Sequence, residues 1–255
     1  MKLSDLQQEI AVIEQQLQGL LDEGGRQAVQ QAKRDLERLA AARNGRRGKK
    51  KRKPVVPWRL TIPHGNPLRF IPTMPTVGVR HQLIVDLFCS LSEPDHGLPS
   101  GEHNIVLRLW SEDDALWFRE GLDAAPLWDQ IVAAGGRRVM HRVHFDYASP
   151  TQPGPQFHWQ IGGTQHGSEF CWFPSTLELP RFPHHPLSLI TACEFVVRTF
   201  FPREYGRIAA EPTWIHAVKT AQQAYLEPYL RSLLTYAPVL NLPNSVLERL
   251  WNPHP

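Results

Sequence analysis

The sequence predicts an α+β protein, an antiparallel sheet with helices packed on one face, preceded by an N-terminal coiled-coil or helical-hairpin arm. Three observations predict it. Apolar residues recur three and four apart near the N-terminus, as on one face of a helix. In 81–92, 104–110 and 138–163 they recur at every second residue, as on one face of a strand. Beyond position 186 the helical spacing returns, between prolines placed where helices start and stop. Twenty-three Pro residues in 255, about twice the average usage of roughly 5%, argue for many loops and short elements.

Residues 1–44 form the arm. Leu3, Leu6, Ile10, Ile13, Leu17 and Leu20 have the spacing of an a/d seam, with Ser4-Asp5 near the helix start. Gly24-Gly25 breaks the register, and Val29, Ala32, Leu36 and Leu39 restore it. Two such helices can fold back on each other, or each can pair with another chain. Helices this short are marginal alone, so a second copy or a protein partner is expected to cover the seam. Residues 45–57 read as a basic linker closed by Pro54 and Pro57, and residues 58–255 as the α+β globular domain.

Within that domain, 81–92 reads as a strand with Leu83, Val85 and Leu87 on one face, and 104–110 as its partner with Ile105, Leu107 and Leu109 aligned. Ser111 is placed to cap a short helix, with Asp114 three residues on. A second helix over 125–134 ends at Gly135-Gly136. The segment 138–163 reads as an antiparallel hairpin, and one further strand is expected near 168–173. A helix over 186–200 starts at Pro186, stops before Pro202, and buries Leu187, Ile190, Cys193, Val197 and Phe200. A longer helix over 212–236 is expected to kink at Pro228, and Asn244 caps a last short one.

The net charge of +3 conceals an asymmetry. Arg43, Arg46, Arg47, Lys49, Lys50, Lys51, Arg52 and Lys53 place eight positive charges in eleven positions, so the rest of the chain carries −5. Such a run grips phosphate through counterion release, which makes RNA or DNA, or else an acidic protein, the expected partner. Lys49 to Lys53 also has the form of a nuclear localisation signal, should the source be eukaryotic. Cys89, Cys171 and Cys193 are widely spaced, which argues against a disulfide framework and against a cysteine-rich zinc site. No apolar run approaches the ~18 residues of a membrane span, and the N-terminus is too polar for a signal peptide. The expected location is the cytoplasm, with no membrane partner.

The hairpin carries the densest chemistry. Val143, Phe145 and Tyr147 alternate with Arg142, His144 and Asp146; Phe157, Trp159 and Ile161 alternate with His158 and Gln160. Opposed residues in an antiparallel pair share a face, so apolar must meet apolar. Two registers satisfy this. One sets His144 against His158 and Arg142 against Gln160; the other sets Asp146 against His158. Either brings Arg142, His144, Asp146, His158 and Gln160 onto one patch, and three chemistries remain open there. His144 and His158 can act as base and acid on a phosphodiester, with Arg142 or Arg181 on the phosphate. Two His and one carboxylate can form a facial metal triad. Or the patch is the wet face of an amphipathic sheet. The pattern identifies no cofactor. His184-His185, Glu194 with Arg198, and the buried Cys193 are lesser candidates, each with a structural reading.

His144-Phe145-Asp146 and His158-Trp159-Gln160 resemble the paired H-x-[ST] motifs of 2H phosphoesterases, although the third residue is never Ser or Thr and the two lie fourteen positions apart. Cys171, between aromatics and following strands, is similar in placement to the active cysteine of ubiquitin-conjugating enzymes, without the His-Pro-Asn that precedes it there. His158-Trp159-Gln160-Ile161-Gly162-Gly163 followed by Leu179-Pro180-Arg181-Phe182-Pro183 and an apolar helix resembles uncharacterised bacterial proteins of defence and mobile-element neighbourhoods. That resemblance implies a bacterial cytoplasm and no particular activity. The expectation is therefore a nucleic-acid- or acidic-partner-binding component of a larger bacterial assembly, oligomerising through its N-terminal helices. The alternative is a small nuclease or phosphoesterase, metal-assisted or not, working through His144 and His158.

Overall fold

A computed structural model describes residues 1–45, 57–71, 83–93, 103–111, 138–147, 157–162, 170–171 and 181–236. Helices α1 (Leu3–Leu17) and α2 (Glu23–Gly45) fold back on each other as a hairpin, tied by the Lys33–Glu14 ion pair at 2.6 Å. The break comes before the glycine pair rather than at it. Asp22 caps α2 by accepting a hydrogen bond from the Gly25 amide at 2.6 Å, and Gly24 and Gly25 form the first turn. Gly25 is required by close approach: a Cβ there would lie 2.8 Å from the Arg69 nitrogen and 2.9 Å from its oxygen. The inter-helix turn is stitched to the following strands, with Asp22 N donating to Arg69 O at 3.0 Å and Ile71 N to Leu20 O at 3.2 Å.

The seam residues of this hairpin do not await a second chain. Leu6, Ile10, Ile13 and Leu17 are buried in one core with Trp58, Leu60, Val85, Ile190 and Trp214. Glu9, Val12 and Gln16 are buried beside them, so the covered arc of α1 is wider than an a/d stripe. Of the two arrangements open to the arm at 1–44, the structure has the helical hairpin, and its seam residues share one core with residues of the domain assigned to 58–255.

The strands are β1 (Arg59–Ile62), β2 (Leu68–Phe70), β3 (Leu83–Ser92), β4 (Asn104–Ser111), β5 (Arg138–Tyr147), β6 (Phe157–Ile161), β7 (Phe170–Cys171) and β8 (Phe182–Pro183). They form one sheet in the order β1-β3-β4-β5-β6-β8, with β2 also on β3 and β7 also on β5. All pairings are antiparallel except β5 with β7. Three short strands, β1, β2 and β8, escape a reading by periodicity: runs of two to four residues carry too little alternation to register. Ser111 is the last residue of β4.

The apolar face of the sheet packs on helices. Phe70 meets Phe201 with ring centroids 6.1 Å apart, and Phe145 meets Phe195 at 6.3 Å. Helix α3 (Leu189–Phe200) begins three residues later than Pro186 suggests, because Ser188 is its cap: the Ser188 hydroxyl accepts from Thr191 N, and Thr191 Oγ1 accepts from Ser188 N. Pro202 opens a further helix, α4 (Pro202–Ala209), so that a proline expected as a stop serves as a first turn. After α5 (Pro212–Ala221), a π-helical turn (Gln222–Leu226) leads into α6 (Glu227–Tyr236). The expected irregularity falls just before Pro228, whose missing N–H breaks the regular ladder there. The helices expected after Ser111, over 125–134 and after Asn244 lie outside the described residues, as does the basic run at 46–53.

Candidate functional site

The hairpin adopts the second of its two registers, with Asp146 opposite His158 and His144 opposite Gln160. The same face continues across the sheet. Asn104 lies opposite Asp146, Arg108 opposite Arg142, Asp86 opposite Arg108, Ser90 opposite Asn104, and Thr61 opposite Ser90. Alternation on β1, β3, β4, β5 and β6 therefore gathers polar residues from five strands onto one surface.

This surface is not a wet sheet face. Arg108 and Arg142 are each 1% exposed, His158 3% and His144 4%. Burial of cations demands anions, and Asp86 answers part of the demand. Fully buried, it accepts from Arg69 Nε at 2.8 Å, from Arg108 Nη2 at 2.5 Å and from Trp110 Nε1 at 2.9 Å. Arg108 in turn donates to His64 Nε2. A guanidinium has no lone pair to offer, so that ring nitrogen is the acceptor. His64 stands in the turn between β1 and β2, edge-on to Phe88 with ring centroids 5.1 Å apart.

At the end of the sheet where β4 starts and β5 finishes, the face is hollowed into a cleft of about 520 Å³. Asp146, His158 and Gln160 line one side, with Arg181 beside them. Asn104, Ser90 and His103 continue the wall, and Thr61 and His64 close it opposite. Arg142 and His144, named by the sequence with these residues, are not part of that lining. His144 neighbours Asp146 on the same face of β5, its Nδ1 3.7 Å from Asp146 Oδ2. The cleft thus takes three of the five hairpin candidates directly and keeps the other two as buried support.

Asp146 supplies the carboxyl of the cleft lining. Burial pushes it up to about 7, against the opposing pull of the Arg181 charge. Its Oδ1 accepts a hydrogen bond from the Asn104 side-chain amide across the strand pair. His103, just ahead of β4, is held neutral by burial, which lowers it to about 4. Its Nε2 donates to Leu187 O at 2.8 Å, which fixes the tautomer.

Asn104, His103, His64, Asp86 and Arg108 were missed by sequence reasoning. The signal was present for two of them: Asp86 between Val85 and Leu87, and Arg108 between Leu107 and Leu109, occupy polar positions in otherwise apolar strands. His64 and His103 stand outside regular strands, where no periodicity points at them. The lesser candidates resolve structurally. Glu194 accepts from Tyr205 Oη at 2.7 Å and from Trp214 Nε1, rather than pairing with Arg198. Cys193 is fully buried, and burial holds its thiol well above the usual range. His184 and His185 stack at 4.3 Å, ahead of the α3 cap rather than at the helix terminus. No group of three or more His, Cys, Asp or Glu side chains able to hold a metal occurs among the described residues, so His144, Asp146 and His158 do not converge as a triad. Nor is any helix among them long and apolar enough to cross a membrane.

Arg43, the first charge of the basic run, pairs with Glu93 at 2.5 Å, and Glu93 also accepts from Trp58 N at 2.8 Å. The residues flanking the run are thereby held together where β1 begins, two positions from the cleft residue Thr61 on that strand. Comparison with protein-family models, with curated proteins and with solved structures finds no match to this chain.

Proposed function

We propose that the chain is a phosphodiesterase acting on nucleic acid, with the cleft over the polar sheet face as its active site. The observation that carries this is Asp146, a carboxyl raised to about 7 by burial, on the wall of a cleft of about 520 Å³ and directly across the strand pair from His158. A carboxyl raised to about 7 and an imidazole, side by side in a concave site, are what general acid–base chemistry requires. His158 takes the proton of an attacking water as its oxygen bonds to phosphorus. The bond from phosphorus to the leaving oxygen breaks, and Asp146 gives that oxygen its proton. Arg181 meets the negative charge on the phosphoryl oxygens. His144 neighbours Asp146 outside the cleft lining, so the acid–base pair is Asp146 and His158 in place of His144 and His158.

The charge run at 46–53 favours a second reading, in which the chain only binds RNA, DNA or an acidic partner within a larger bacterial assembly. Arg46, Arg47, Lys49, Lys50, Lys51, Arg52 and Lys53 would supply sequence-independent, salt-sensitive affinity. Under the enzymatic reading the same run delivers the substrate. A cleavage assay on RNA, single-stranded DNA and bis(p-nitrophenyl) phosphate, with and without chelator, separates the two. Turnover lost in His158→Ala supports the enzyme. Salt-sensitive binding with no turnover of any substrate supports the binding module.

A further inference from the structure

Asn104 and Asp146 are direct cross-strand partners, and the Asn104 amide nitrogen donates to Asp146 Oδ1. An amide nitrogen can only donate, so Oδ1 is held as an acceptor. When Asp146 carries a proton, that proton resides on the other oxygen. Oδ2 is the oxygen that approaches His144 Nδ1, 3.7 Å away. The strand register places the His158 backbone directly opposite Asp146 on the side away from Asn104. Asn104 itself is fixed from its own side: His103 O accepts from Tyr147 N at 2.9 Å, which locks the start of β4 to the end of β5.

From this geometry we propose that Asn104 is a positioning residue, which assigns the two oxygens of Asp146 different tasks: Oδ1 anchors the carboxyl and Oδ2 alone exchanges the proton. The proposal rests on the phosphodiesterase reading for its purpose, but not for its chemistry. The groups that face Asp146 are His144 on its own strand, His158 on β6, Arg181 ahead of β8, and His103 ahead of β4. Of these, the cations and any protonated imidazole favour the ionised form, and burial opposes it. The Asn104 N–H also favours the ionised form, since it is a stronger bond to a carboxylate than to a neutral acid. Removing it leaves burial less opposed.

The test is the titration of Asp146 in the full-length protein, followed through its side-chain carboxyl carbon by NMR. In Asn104→Ala the midpoint is expected to rise by about one pH unit, a tenfold change in proton affinity, the scale set by one hydrogen bond to a charged group. The limb of the kcat/KM profile governed by Asp146 should move with it. Asn104→Asp serves as a second variant that keeps the side-chain shape: two facing carboxyls share a proton, and the midpoint should rise further. Asn104→Gln, which retains a donor, should bring it back towards the wild-type value. An unmoved or lowered midpoint in both Asn104→Ala and Asn104→Asp overturns the proposal. Midpoints that move in a protein without turnover retain the positioning role and discard the phosphodiesterase. Turnover with unmoved midpoints and an unmoved pH limb does the reverse.

Discussion

Glu9 offers a stability test that is independent of function. It lies on α1, 1% exposed, inside the core shared by the hairpin, the sheet and α3. One carboxyl oxygen accepts from Ile190 N at 3.3 Å. That bond and the neighbouring Ser188 do not offset desolvation, which raises Glu9 from 4.5 to about 8. At pH 7.5 the folded protein therefore keeps a proton that the unfolded chain has released. Stability falls as pH rises from 4.5 towards 8 and is level beyond, because the unfolded state binds fewer protons throughout that window. Three pH units at about 1.36 kcal/mol each amount to about 4 kcal/mol at pH 7.5, a large part of an ordinary folding free energy. Glu9→Gln removes the titration and keeps an acceptor for Ile190 N. The amide N–H takes the place of the acid O–H, so any shortfall in its hydrogen bonding is common to both. Urea unfolding should show Glu9→Gln more stable by about 4 kcal/mol at pH 7.5 and by under about 1 kcal/mol at pH 5. An equal difference at the two pH values, or a variant weaker than wild type at pH 7.5, is incompatible with a buried Glu9 that holds its proton.

Asp86→Asn withdraws the anion from buried Arg108 while leaving its volume, and should cost about 3–5 kcal/mol in urea unfolding; a cost under about 1 kcal/mol contradicts the network as drawn. The adjacent glycines of α2 should respond with opposite signs. Gly25→Ala drives a Cβ to 2.8 Å from the Arg69 backbone and should destabilise by about 1–3 kcal/mol. Gly24→Ala meets nothing nearer than 3.5 Å and should gain about 0.5–1 kcal/mol from helix propensity. Neutralising Arg46, Arg47, Lys49, Lys50, Lys51, Arg52 and Lys53 should weaken binding to single-stranded nucleic acid. It should also flatten the dependence of log K on log salt by roughly 0.7 for each phosphate that is no longer neutralised.

Long periodic elements were legible because their pattern repeats often enough to fix a face. The alternation in β5 and β6 limited the register to two choices and identified the polar patch, and the structure selects the one that pairs Asp146 with His158. What periodicity cannot report is what lies against a face. The a/d spacing of Leu3, Leu6, Ile10, Ile13 and Leu17 looks the same whether another chain or this chain's own core covers it. Only the structure separates the two: it buries Glu9 and Gln16 between those residues, where a side chain off the seam of a short coiled coil would be wet. The cleft was hidden for a related reason. Its walls come from residues with sequence separations of dozens of positions, and only the strand order β1-β3-β4-β5-β6 brings Thr61, Ser90, Asn104, Asp146 and His158 to one end of one face.

Proton transfer on a phosphodiester by Asp146 and His158 is tested most directly by kcat/KM for a small phosphodiester from pH 5 to pH 9, in the wild type, Asp146→Asn and His158→Ala. Wild-type activity should fall as pH rises past about 7, where Asp146 loses its proton. Each substitution should cost about 10²–10⁴-fold, the scale of one general acid or base, and Asp146→Asn should abolish that alkaline limb. A wild type without turnover, or an Asp146→Asn variant that keeps both the rate and the alkaline limb, would contradict this assignment.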